Sequence, residues 1–124
     1  MPRQAFTAPN VPTASGPYSA CIRIGQMVCT AGQCGYLLDK TLVDGFEGQA
    51  RQAFENLFAA LAAGGYTEAD VLSVNVFLAN GDDFDRMNVV YRENFSEPYP
   101  VRTTVTVGLR PGVLFEVNAQ AMVE

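Results

Sequence analysis

Apolar residues at Phe46, Ala50, Ala53, Phe54, Leu57, Phe58 and Leu61 step by three and four, laying one stripe along a helix from Phe46 to Leu61. Gly64-Gly65 supplies its stop, because glycine readily takes the left-handed conformation that ends helices. A second helix is predicted from Asp83 to Phe95, with Asp82 or Asp83 as N-cap and Phe84, Met87, Asn88, Tyr91 and Phe95 along one side. Pro98 and Pro100 prevent its continuation. Elsewhere the period is two. Leu72, Val74, Val76 and Leu78 alternate with Ser73, Asn75 and Phe77, as in a strand buried mainly on one face. Tyr18 to Ile24 and Met27 to Ala31 read as short strands joined across Gly25-Gln26, with Gly32 and Gly35 closing the unit. Before them, Pro2, Pro9, Pro12 and the cluster Ser15-Gly16-Pro17 make Met1 to Gly16 an extended lead-in.

Two last strands are predicted, Val101 to Leu109 and Val113 to Val123, separated by Arg110-Pro111-Gly112. In the first, Val101, Thr103, Val105 and Val107 point one way and Arg102, Thr104 and Thr106 the other; in the second, Glu116, Asn118 and Gln120 lie opposite an apolar face. A three-residue hairpin loop would set Thr106 against Glu116 and Thr104 against Asn118. Arg102, Thr104, Glu116 and Asn118 would then share one surface. The order β-β-α-β-α-β-β implies an α+β fold, a mixed β-sheet with both helices packed on one face.

Length and composition narrow the chemistry. The 124 residues suit a single domain spanning 1–124, and 48% hydrophobic against 17% charged residues is ordinary globular usage. Net charge −5 offers no footprint for a phosphate backbone or anionic lipid, so neither nucleic acid nor membrane is expected as a partner. No histidine is present, which removes histidine bases, Ser-His-Asp triads and His-ligated zinc together. Cys21, Cys29 and Cys34 contain no C-x-x-C pair and read as structural or incidental thiols in a reduced, cytoplasmic setting; no metal is expected. No apolar run approaches the ~18 residues of a membrane span.

The polar face of the last two strands carries one Arg and one Glu among Thr, Asn and Gln. A solvated face accounts for it, and so does a half-buried pocket. In a pocket, the planar fork of Arg102 would match a carboxylate bidentately, and Glu116 could activate a water. Asn88, on the apolar side of its helix, would cost roughly 1 to 3 kcal/mol without a partner. Capping a backbone group would satisfy it equally well.

Ser15-Gly16-Pro17-Tyr18-Ser19, Thr30-Ala31-Gly32-Gln33, Asn88-Val89-Val90-Tyr91 with Phe95, Pro100-Val101-Arg102-Thr103 and Phe115-Glu116-Val117-Asn118-Ala119 together resemble the Rid (reactive intermediate deaminase) family, also called YjgF. The resemblance spans nearly the whole chain in order. It implies a chorismate-mutase-like (YjgF-like) fold and a homotrimer with three sites in clefts between subunits. It also implies hydrolysis of enamine and imine intermediates, such as 2-aminoacrylate and 2-iminopropionate, to a 2-keto acid and ammonia without cofactor. By the same resemblance Arg102 would bind the carboxylate of a small-molecule substrate and Glu116 would handle the attacking water. Tyr18, Asn88 and the backbone at Gly32 match further pocket positions. Ala31, Thr104 and Asn118 replace the family's more usual Ser, Cys and acidic residue, and Thr104 would line the substrate site. Those changes leave open a larger enamine acid as substrate, or a protein that binds small 2-keto or carboxylic acids without turnover. The ribonuclease label attached to the family sits poorly with the acidic charge.

Overall fold

The structure, a computed structural model, describes residues 2–123; Met1, the first residue of the expected lead-in, and Glu124 lie outside them. Strands β1 (Gln4–Ala5), β2 (Cys21–Ile24), β3 (Met27–Thr30) and β4 (Gln33–Cys34) precede helix α1 (Phe46–Ala63). Strand β5 (Val71–Leu78), helix α2 (Phe84–Asn94) and strands β6 (Val101–Thr106) and β7 (Phe115–Met122) complete the chain. The predicted helices and main strands are all present. Helix α1 stops at Gly64, and Gly65 takes φ 84. The first hairpin turns through Gly25 at φ 60. Tyr18 lies in the loop before β2 rather than in a strand, and the lead-in contributes β1, which pairs with β2.

The sheet runs β1-β2-β3-β7-β5-β6, with β4 also paired to β7. This overturns the expected terminal hairpin: β6 and β7 are not neighbours, because β5 lies between them. Helix α2 carries the chain back so that β6 pairs with β5 in parallel, Val74 against Arg102 and Val76 against Thr104. Strand β7 takes β5's other edge, antiparallel, with Phe77 against Glu116 and Asn75 against Asn118. Arg110-Pro111-Gly112 does form a tight turn, with Val113 N–H donating to the Arg110 carbonyl at 3.0 Å and Gly112 at φ 80. That turn lies within a crossover from one side of β5 to the other.

Directly paired residues point to the same side of a sheet. Val74 and Val76 are fully buried among residues of the core, so Arg102 and Thr104 face the helices. Phe77, Glu116, Asn75 and Asn118 face the opposite way, where Asn75 donates to Asn118 at 2.9 Å. The four polar residues therefore divide between two faces. The alternation expected for β6 holds, but its burial is inverted: Val101, 70% exposed, and Val105 lie on the uncovered face, and the polar positions turn inward.

Phe54 of α1 centres the core, with the rings of Phe58, Tyr91, Phe95 and Phe115 at 5.4 to 6.3 Å. Two buried amides on α1 pin the irregular segments. Asn56 donates to the carbonyls of Cys34 and Tyr36 at 3.1 and 2.8 Å. Gln49 donates to the Gly112 carbonyl at 3.1 Å and accepts from Leu114 N–H at 2.8 Å. The α1 backbone also presses close to β4, so that a Cβ at Gly35 would stand 2.5 Å from Gln49 Cα.

Gly35→Ala is expected to destabilise the protein by about 1 to 3 kcal/mol, since neither backbone can retreat freely. Gly108→Ala, with open space around it and no positive φ, should change little. Urea unfolding at matched protein concentration compares them, and equal stabilities would refute the close-approach account.

Candidate functional site

Arg102 is half-buried at the sheet's β6 rim, where α2 passes over it. Its Nη1 donates to Asn88 Oδ1 at 2.8 Å, and its guanidinium carbon stands 4.7 Å from the Tyr91 ring centroid and 5.7 Å from that of Phe84. Asn88 and Tyr91, three apart on α2, thus share one helical face and hold the cation from the side and from below. Asn88 spends its amide oxygen on this arginine, not on capping the backbone. Among the described residues no carboxylate pairs with Arg102.

Arg102, Asn88 and Tyr91 line a cavity of about 340 Å³ together with Arg92, Tyr99 and Pro100. The Tyr91 hydroxyl and Thr104 Oγ1 are buried and have no partner among the described residues. Burial pushes the Tyr91 phenol up to about 12, with the Arg102 charge pulling the other way, so at neutral pH it remains a donor. Orphaned hydroxyls of this kind typically cost 1–3 kcal/mol each, roughly, unless a water or ligand meets them. A cation without a counter-ion, on an aromatic floor and oriented by an amide, is suited to receiving a carboxylate.

A second, larger cavity of about 670 Å³ holds Tyr18, Gly32, Cys34, Arg110 and Glu116. Tyr18 is 53% exposed and accepts from Ser15 N–H at 3.2 Å, within the Gly-Pro turn. Strand β4 places Cys34 directly against Glu116 on β7, and the thiol donates to Glu116 Oε1 at 3.4 Å. The other oxygen lies over Gly32. A Cβ there would overlap Oε2 and stand 2.9 Å from Cδ, so the glycine is required by close approach, not by its dihedral angles.

The sequence expectations thus fall into two groups. Arg102 and Asn88 come together, with Thr104 on the same face; Tyr18, Gly32 and Glu116 come together elsewhere. Within one chain Arg102 and Glu116 do not meet, because adjacent strands of β5 present them to opposite faces. Sequence reasoning missed Cys34, read as an incidental thiol, because a two-residue strand leaves no periodic signal. It also missed Tyr91 as the floor beneath Arg102, although the spacing from Asn88 was available. Among the described residues there is no cluster of three or more His, Cys, Asp or Glu that could hold a metal, and no helix long and apolar enough to cross a membrane.

Residues 8–123 match the model of the family described as Endoribonuclease L-PSP. A relative from Dermatophagoides farinae, named 2-iminobutanoate/2-iminopropanoate deaminase, is 37% identical over 112 residues, covering 89% of this chain and 88% of that protein. Among solved structures, RidA from an Antarctic Psychrobacter gives a TM-score of 0.93 at 36% identity, covering 97% of this chain and 99% of that one. The crystal structure of E. coli TdcF with bound serine gives 0.91 at 30% identity, over 98% and 99% of the two chains.

Burial, reinforced by the Glu116 carboxylate, pushes the Cys34 thiol up to about 12. Alkylation requires the thiolate, so its rate at Cys34 should still be climbing at about pH 10, where an ordinary thiol has levelled off. Glu116→Gln should quicken the reaction without bringing it to the rate of free cysteine, burial being the larger cause. Mass spectrometry of the peptide containing residue 34 reads both; a plateau in the ordinary thiol range would contradict this environment.

Proposed function

The chain belongs to the Rid/YjgF family, described as Endoribonuclease L-PSP and including deaminases, and on that premise we propose that it hydrolyses small 2-imino acids and their enamine tautomers to 2-keto acids and ammonia. The observation that carries the proposal is the arginine without a carboxylate partner, held by Asn88 over Tyr91 in its own cavity. The Dermatophagoides relative is named for this reaction, and TdcF holds an α-amino acid in the same fold.

Because Arg102 and Glu116 open on opposite faces, the working site requires two copies of the chain. One copy supplies Arg102, Asn88 and Thr104; the other supplies Tyr18, Gly32 and Glu116. A homotrimer provides three such clefts. The helix-free sheet face, with Val101, Val105, Met27 and Met122 exposed, favours burial against further copies.

In this reaction Arg102 receives the substrate carboxylate and fixes the adjacent imine carbon. Glu116 takes a proton from water as the oxygen adds to that carbon, giving a carbinolamine. The proton passes from Glu116 to the amine nitrogen. The carbon–nitrogen bond then breaks, the again-ionised Glu116 takes the hydroxyl proton as the carbonyl forms, and ammonia leaves. An enamine first takes a proton at its β-carbon to become the imine. A protonated imine is already electrophilic, so this route draws on no metal or organic cofactor, and a positioned base contributes roughly 100-fold to 10,000-fold.

With imines generated by an amino-acid oxidase, Arg102→Ala and Glu116→Gln should each lower kcat/KM by roughly 100-fold or more. Undiminished ammonia release by either variant would end the proposal, as would carboxylate binding without turnover by the parent protein. A panel of amino acids reads substrate size. When the two inactive variants are unfolded and refolded together, shuffled subunits should recover about a quarter of the parent sites, since some clefts join an intact Arg102 to an intact Glu116. No recovery would place both groups in one chain's site.

A further inference from the structure

Strand β4 is only two residues long, yet it carries the one side chain among the described residues that hydrogen-bonds the Glu116 carboxylate. Cys34 and Glu116 are directly paired across β4 and β7, and Asn56 ties the Cys34 carbonyl to α1. The thiol is therefore anchored on the sheet and on the helix. Glu116 accepts this bond through Oε1, while Oε2, over Gly32, accepts nothing from the described residues.

We propose that Cys34 is a positioning residue for Glu116: by donating to Oε1 it holds the carboxylate in the rotamer that leaves Oε2, above Gly32, to take the proton of the attacking water. This inference rests on the assignment of Glu116 as the base. A glutamate has three rotatable side-chain bonds, and a base that samples several rotamers spends only part of its time in a productive one. Two restraints select the rotamer here. The glycine opens the space, and the thiol closes the alternatives. The thiol stays protonated at neutral pH, since burial and the neighbouring carboxylate both oppose ionisation, so it acts as a donor and not as a nucleophile.

Three variants at one position test the assignment. Cys34→Ala and Cys34→Val both remove the donor, one leaving space and the other filling it; Cys34→Ser keeps a donor. Both donorless variants should lose on the order of tenfold in kcat with KM held within about twofold, because substrate binding belongs to Arg102. Cys34→Ser should retain activity within about threefold of the parent. Thermal unfolding run alongside identifies any variant that fails to fold, and the second donorless variant then carries the comparison. The inference is overturned if a folded donorless variant keeps its full kcat, or if Cys34→Ser falls as far as Cys34→Ala. Glu116→Gln, assayed in parallel, separates the two levels. Its inactivity beside an active Cys34→Ala removes only the positioning role, whereas an active Glu116→Gln removes the assignment of the base itself.

Discussion

Strand β5 accepts a neighbour on each edge, parallel β6 on one and antiparallel β7 on the other, and the placement of Arg102, Thr104 and Glu116 follows from those two registers. A sheet allows each strand only two faces, and paired residues share one. Arg102 is registered to Val74, a core residue beneath the helices; Glu116 is registered to Phe77, on the reverse side. A one-residue slip of the first ladder would carry Arg102 out to the uncovered face, and a slip of the second would turn the Glu116 carboxylate in toward the helices. The burial of Val74, Val76 and Leu78 on β5, and of Phe115 and Val117 on β7, makes such a slip costly.

The core and the cation are linked through Tyr91. Its ring packs against Phe54 and Phe95 within the aromatic cluster and also lies beneath Arg102. Packing that fixes α2 against α1 therefore also fixes the floor of the smaller cavity. The larger cavity is held differently, by buried amides: Asn56 secures the end of β4, and Gln49 secures the approach to β7. One half depends on apolar packing and the other on hydrogen bonds.

Much of this was legible in the residues themselves. The stripe from Phe46 to Leu61 and the alternation from Leu72 to Leu78 specify their elements because helix and strand periods are local properties. Arg102 and Glu116 stood out because single charges among uncharged polar groups invite a partner. Strand adjacency was not legible. Arg110-Pro111-Gly112 carries the signature of a tight turn and forms one, but nothing in those three residues says whether the following strand returns beside its predecessor or passes over it. The valines of β6 misled for a related reason. Alternation shows that two faces differ without showing which one meets the helices, and an edge strand with an apolar outer face reads like a core strand. Cys34 was invisible because its significance arises entirely from the residue across the ladder.

Strand β6 ends the sheet, and its outer edge carries backbone donors and acceptors that no described strand occupies. A newly made chain thus displays a β-branched ribbon of the kind that templates unwanted strand addition. Pro100, immediately ahead of it and lacking an N–H, and Gly108, shortly after, keep that ribbon short. Whatever covers that edge also protects the newly synthesised chain from aggregation, and the interval before it is covered is the one in which a high local concentration of nascent chains does most harm.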